Sequence, residues 1–390
     1  MNPIRGSFFG AALCAAIALL FCASPFARAL PTDSADSKVA SPEVAPDHKV
    51  TFRLLAPGAQ RVRITGDFAL NGVAMNKDAD GVWSFTTDPL KPSIYGYSFN
   101  VDGVRIVDPG NLYASAGATH LKSYVEVPGD KDHPEAWEMR DVPHGIVHDM
   151  HYKSPELGDR HLLVYTPPGY DAAAAKTYPV IYLLHTDTDN ETYWFQVGRA
   201  NVVMDNLIAD AKATPAIVVS CFGWPTLSQP GPELGPDGSM SYTNQIGPEI
   251  VNHVIPLVDK EYHTGKAAKD RAILGLSALG GCQALTIGLN NPGTFGYIAG
   301  FSSGYPANLN ADANFKGMLA DLDKSKTAFN RVLIKMGSTE GGNGSSSQRV
   351  DQYLTAKGIP HELVIQPGGA HSWVSWREYF RDFMTEIFKN

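Results

Sequence analysis

Cysteine is scarce in this sequence, and so is surplus positive charge. Four cysteines occur in 390 residues, too few for a scaffold built on disulfides. Lysine and arginine number 32 against 40 acidic residues, a formal net charge of −8. That balance argues against nucleic acid as a partner, because no cationic excess exists to neutralise phosphates. A membrane-spanning run is also lacking. The apolar stretch FFGAALCAAIALLFCASPF near the start has a pure apolar core shorter than the roughly 20 residues a spanning helix needs.

That same stretch follows Arg5 and precedes the small-x-small sequence ARA at 27–29. A basic n-region, an apolar h-region and such a site are the pattern of a secretory signal peptide, expected over residues 1–29. Lipidation at Cys22 is disfavoured, since Phe21 is too large for the preceding position. Cleavage removes Arg5 and Arg28 and no acid, leaving 30 basic and 40 acidic residues and a net charge of −10. The mature chain is therefore expected to be secreted or periplasmic, with no membrane partner. It keeps only Cys221 and Cys282, which form either one disulfide or two buried thiols.

At this length two domains are the natural expectation. Residues 30–48, rich in Pro, Ser and Asp, read as a flexible linker. Short β-branched and aromatic runs follow at near-regular spacing: VTFRLLAP, RVRITGDF, GVWSFTT, YGYSFNVDG and YVEVPG. Turn residues separate them, which predicts a small all-β sandwich over 49–129. Residues 130–145 read as a connection. From 146 to the end, the apolar strands HLLVYTPPGY, YPVIYLLH, AIVVSCFG, RAILGLS, FGYIAGFS, RVLIKMGS and HELVIQPGG alternate with helical stretches. Several are apolar on both faces, as parallel strands under crossover helices must be. The expectation is an α/β sheet with functional groups at the carboxyl ends of its strands.

Two of those strand ends carry a serine. RAILGLSALGG runs a buried strand into a turn at Ser277 and on into a helix-compatible stretch. That is the context of a nucleophile elbow, although G-x-S-x-G is not matched, because Leu279 stands where glycine is expected. GFSSG at 300–304 matches the spelling but is followed by GYPANLNADAN, with no immediate helix. Ser277 is therefore the candidate nucleophile and Ser302 a packing residue. A serine needs a base, and the base an orienting acid, in the order Ser, Asp or Glu, His. His371, in the loop PGGAHSW, is the candidate base and Glu340, in GSTEGGNGSSSQ, the candidate acid. Backbone N–H donors for an oxyanion are expected from Ala278 and Thr186. Asp187, Asp189 and Glu191 suggest calcium, but the glycine of a calcium loop is absent. Neither a metal nor a cofactor is expected.

In combination, RDVPHG, VYTPPGY, YPVIYLLH, GRANVVMDNLIA, DRAILGLS and KGIPHELVIQPGGAHSWVSWREYFRDF resemble the esterase-D and feruloyl-esterase-like α/β-hydrolases of carbohydrate esterase family 1. The segment before them resembles the Ig-like early-set domain, akin to carbohydrate-binding module 48, often fused to such enzymes. The resemblance implies an α/β-hydrolase sheet with crossover helices behind a β-sandwich, and a serine esterase acting through an acyl-enzyme. It places nucleophile, base and acid on Ser277, His371 and Glu340. The implied partner is an ester, feruloyl or acetyl, on plant cell-wall polysaccharide. Two positions depart from the family pattern: LLHG is replaced by His185-Thr186, and GLSMGG by GLSALGG, through either a substitution or one inserted residue. Trp194, Trp224 and Trp373 are candidates to stack on an aromatic acyl group or a sugar. The glycine- and proline-rich stretch 223–245 is expected to border the site. Trp376, Phe380, Phe383 and Ile387 are spaced as a helix face buried on the sheet. Two alternatives stay open: a carbohydrate-binding protein that has lost its chemistry, and an esterase for a siderophore or another small-molecule ester.

Overall fold

The computed structural model describes residues 39–117, 121–226 and 234–389. The expected signal peptide and the first part of the linker lie outside them. Among the described residues no helix is long and apolar enough to cross a membrane.

The front of the chain forms two antiparallel sheets. Strands Glu43–Val44, Val50–Leu55, Val82–Thr86 and Asn76–Lys77 make one, in that spatial order. The other runs Ala69–Ala74, Val62–Gly66, Ser93–Val101, Leu121–Val127, Ala114–Ala116, with Val104–Ile106 paired to the long central strand. Alternate residues point inward, so Val50, Phe52, Val62, Ile64, Phe99 and Val127 are fully buried between the sheets. The sandwich starts earlier than its composition suggests. Residues 39–48 have the composition of a linker, yet Glu43–Val44 pairs with Val50–Leu55, and buried Ser41 donates its hydroxyl to Asp108 at 2.5 Å. Strand pairing and a buried hydrogen bond outweigh the polar composition there.

The rest builds one eight-stranded sheet from β1 (Ile146–Ser154), β2 (Gly158–Thr166), β3 (Val180–Leu184), β4 (Ile217–Cys221), β5 (Arg271–Leu276), β6 (Tyr297–Phe301), β7 (Arg331–Gly337) and β8 (Glu362–Gln366). Their order is β1-β2-β4-β3-β5-β6-β7-β8. The first two pairs, β1-β2 and β2-β4, are antiparallel and the remaining five parallel. Along β3, Ile181 and Leu183 enter the core on one face while Val180, Tyr182 and Leu184 enter the core on the other, which explains why the strand reads as unbroken hydrophobicity. The first face is covered by helices Ala200–Ala209 and Trp373–Met384, with Trp376, Phe380, Phe383 and Ile387 buried as their spacing predicts. Helices Cys282–Asn290, Ile255–Glu261 and Gly342–Lys357 cover the second. Cys221 and Cys282 are both buried and are not joined by a disulfide, which resolves the open disulfide question.

The sandwich and the sheet share a core: Ile94 and Tyr124 of the former and Trp137 of the connection join the cluster containing Trp376 and Phe380. Arg377 is buried at the join. Its guanidinium donates to the Val197 carbonyl (3.0 Å), the Ser93 hydroxyl (2.8 Å) and the Ile94 carbonyl (2.5 Å). Arg377, from the HSWVSWREYF run that follows β8, thus serves domain docking.

Candidate active site

Strand β5 ends at Leu276, and Ser277 opens the next turn with φ of +64°. A side chain seldom takes that left-handed conformation without compensation. Here it turns the strand directly into the helical run Ser277–Asn290 and lifts the hydroxyl from the sheet. The altered spelling has a structural explanation. Residues Ser277–Gly281 form a π-type turn before the α-helix, the geometry that absorbs one extra residue. The turn has the geometry expected of one inserted residue: Leu279 packs into the interior, and Gly280 makes the close approach. A Cβ on Gly275 would lie 1.9 Å from the Gly280 carbonyl, and one on Gly280 would lie 2.3 Å from that of His185.

His371 is delivered by a neighbouring pair of loops. The segment after β8 lies directly on the end of β7, where a Cβ on Gly337 would lie 2.1 Å from the Gly369 carbonyl. Thr339 ties the two together, its N–H (3.1 Å) and hydroxyl (2.7 Å) both donating to that carbonyl. His371 Nε2 consequently stands 2.9 Å from Ser277 Oγ, and His371 Nδ1 stands 3.3 Å from Glu340 Oε2. Glu340 is no solvated loop carboxylate, because its side chain is 0% exposed. Its Oε1 accepts from the Gly337 N–H at 2.5 Å and from the Ser302 hydroxyl at 2.7 Å. The structure thus brings Ser277, His371 and Glu340 into one hydrogen-bonded line.

Ser302 has a place in that arrangement that its sequence context did not suggest. It too has a positive φ, +56°, and it is completely buried. Its hydroxyl accepts from Trp376 Nε1 at 2.9 Å while donating to Glu340. The Trp376 ring meets His371 edge-on, with centroids 5.0 Å apart. Sequence reasoning missed both residues; the GFSSG spelling was a signal of the strained strand end.

Residues after β3 approach Ser277 from the other side. His185 is fully buried, and burial pulls its pKa down to about 4, against a smaller opposing effect of its hydrogen bond to Thr186. Its Nε2 accepts from the Gly223 N–H at 2.9 Å, so the proton is on Nδ1, which donates to the Thr186 carbonyl at 2.7 Å. Thr186 is buried beside it, and Ala278 comes directly after Ser277 in the turn. A further group was not anticipated: Asp187 Oδ1 lies 3.2 Å from Ser277 Oγ. A hydroxyl has one proton to give, so Asp187 and His371 compete for it.

The expected aromatic stackers do not share one fate. Trp194 is 1% exposed, wedged against Trp373 and Phe380. Trp373 is 7% exposed, and its Nε1 donates to Asp189 at 2.9 Å. Burial pushes the Asp189 carboxyl up to about 6, with the Trp373 hydrogen bond partly opposing. Neither ring has a face open to substrate, which corrects their assignment: both are core, buried where the sandwich and helix Trp373–Met384 close over the loop after β3. Trp224, past the end of β4, is partly exposed and packs edge-on against Tyr242 at 5.2 Å. Of the stretch 223–245, residues 227–233 lie outside the described residues. Gly238 and Met240 beyond them bond to Asn310 and Asn314.

Known proteins resemble this chain in both of its parts. Residues 154–387 match the family model described as "Putative esterase". The chain belongs to this esterase family. Residues 40–114 match carbohydrate-binding module 48, the isoamylase N-terminal domain. An endo-1,4-beta-xylanase/feruloyl esterase of Xylanibacter ruminicola is 29% identical over 354 residues, covering 89% of this chain. This chain spans 46% of that relative's length. Among solved structures, a ferulic acid esterase of carbohydrate esterase family 1 from Anaeromyces mucronatus aligns with a TM-score of 0.54 and 22% identity, over 64% of this chain and 93% of its own. The enterobactin esterase of Shigella flexneri aligns with a TM-score of 0.62 and 18% identity, over 87% and 92%. The shared fold is an α/β-hydrolase with a β-rich front domain.

Proposed function

We propose that this esterase hydrolyses carboxylic esters through an acyl-enzyme on Ser277, acting after secretion on feruloyl or acetyl esters of plant cell-wall polysaccharide. The observation that carries the reading is the continuous line Ser277 Oγ, His371 Nε2, His371 Nδ1, Glu340 Oε2, at 2.9 and 3.3 Å. In this mechanism Ser277 Oγ attacks the ester carbonyl while His371 Nε2 takes its proton. Glu340 holds the ring in the Nδ1–H tautomer and stabilises the imidazolium. The tetrahedral oxyanion is held by the N–H groups of Ala278 and Thr186. Its collapse breaks the ester C–O bond, and the alcohol leaves with the proton from His371. Water, deprotonated by His371, then attacks the acyl-serine and regenerates the hydroxyl.

A feruloyl substrate is supported by the Xylanibacter relative, a xylanase/feruloyl esterase. A second reading, a catecholate siderophore ester, is supported by the enterobactin esterase, which aligns along both domains of this chain. A carbohydrate-binding protein without chemistry is the weakest of the three, since a damaged site has no reason to keep a buried carboxylate aligned on the imidazole. Parallel assays with methyl ferulate, acetylated xylan and a trilactone catecholate siderophore separate the readings. Ferulate or acetate release at the highest kcat/KM is expected; preferential siderophore cleavage replaces the substrate, and no turnover of any ester removes the enzyme.

A further inference from the structure

The hairpin of β1 and β2 carries a second group of chemically able side chains, outside the site around Ser277. Asp149 and His151 are two residues apart on β1 and so share one face. The antiparallel register sets His161 of β2 directly opposite His151, their rings 4.7 Å apart. Asp149 Oδ1 is 2.7 Å from His161 Nε2 and 3.5 Å from His151 Nε2, and the three ligand atoms lie within 4.8 Å of one another. The two histidines line a groove of about 610 Å³ with Glu191 and Phe222. The nearby Arg160 guanidinium is directed to the carbonyls of Phe222 and Trp224.

We propose that Asp149, His151 and His161 bind one divalent transition-metal ion of the zinc class, with a fourth position open to the groove. Bonds of about 2.0–2.1 Å in a tetrahedron set ligand atoms about 3.3 Å apart, between the two separations measured. Two imidazoles and a carboxylate form a donor set suited to zinc rather than to calcium or magnesium. The second observation concerns the other nitrogen of His161. Its Nδ1 is 2.5 Å from Glu191 Oε1, the carboxylate–histidine arrangement that fixes Nε2 as the ligand atom and raises its basicity. Glu191 itself is anchored, since its backbone carbonyl accepts from the Ser220 hydroxyl at 2.7 Å. The ion takes the place of the proton between His161 Nε2 and Asp149 Oδ1; that proton leaves to solvent, and the net charge of the site rises by one. Glu191 lies four residues past Asp187 on the segment that approaches Ser277, so the ion would pin that segment to the hairpin.

A second cluster provides the control. Glu156, Glu249 and His253 also converge, but both Glu249 oxygens are occupied, by the Tyr152 (2.7 Å) and Ser154 (2.6 Å) hydroxyls. The test is titration of the chelator-treated full chain with zinc chloride, in competition with a chromophoric chelator. One zinc per chain is expected. His151→Ala, at a side chain 80% exposed and so harmless to folding, and His161→Ala should each weaken binding at least 100-fold. Glu191→Gln should weaken it about 10- to 100-fold, and His253→Ala should leave it unchanged. Absence of stoichiometric zinc in the wild type, or binding undisturbed by both His151→Ala and His161→Ala, overturns the proposal.

Discussion

Strands β5 and β6 are neighbours in the sheet, and each ends in a serine with a left-handed backbone, Ser277 at +64° and Ser302 at +56°. Only the first hydroxyl meets an imidazole, at 2.9 Å; the second is sealed between an indole N–H and the buried acid. The difference arises from the segment that each serine leads into. The helical run after Ser277 turns its hydroxyl outward, while the loop after Ser302 leaves it inside to hold Glu340. One strained strand end therefore supplies the reacting oxygen and its neighbour aligns the acid behind it, so the two serines are a proposed nucleophile and a proposed positioning residue of the same site.

The largest expected effect separates them outright. Ser277→Ala should lower kcat for an aryl ester by at least about 10⁴-fold, leaving the residual rate that binding and oxyanion donors supply. A smaller effect concerns the support on the Ser277 side. His185 in the folded chain has its pKa pulled down to about 4 by burial, below the ordinary value of about 6.5. Between those values the unfolded chain binds the extra proton, so stability rises with pH from about 4 to 6.5 and is constant above. His185→Gln should remove about 3 kcal/mol of that rise, measured as the difference in urea unfolding across this pH range. Ser302→Ala should come next, cutting kcat about tenfold with KM unchanged, because Glu340 loses one partner and keeps the Gly337 N–H. An equal loss from both serine variants would break the comparison. The smallest change has the opposite sign. Asp187→Ala removes the competing acceptor and the negative charge 3.2 Å from Ser277 Oγ, and should raise kcat severalfold in the same assay.

Much of this was legible in the sequence. The rhythm of short strands located the sandwich and the apolar runs the α/β sheet, because burial on one or both faces leaves a periodic trace. Strand β1 escaped that reading, since IVHDMHYKS mixes polar residues on both faces of an edge strand that is half in solvent. The order Ser277, Glu340, His371 could be read because their chain order and loop positions are local features. Ser302 and Trp376 acquire their places only through contacts across 38 and 74 residues, which no local pattern encodes. Whether Leu279 was inserted or substituted needed the turn itself. Trp194 and Trp373 were misassigned because an aromatic residue near a strand end has the same spelling whether it faces a ligand or the adjoining sandwich. Asp187 was considered as part of a calcium loop, and only the fold shows its carboxylate reaching the serine.

The central claim is that Ser277 reacts and Ser302 does not. Labelling of the wild type, Ser277→Ala and Ser302→Ala proteins with a fluorophosphonate, followed by peptide mass spectrometry, tests it directly. The expected result is modification of Ser277 in the wild type and, more slowly, in Ser302→Ala, with none in Ser277→Ala; label on Ser302, or undiminished labelling of Ser277→Ala, would contradict it.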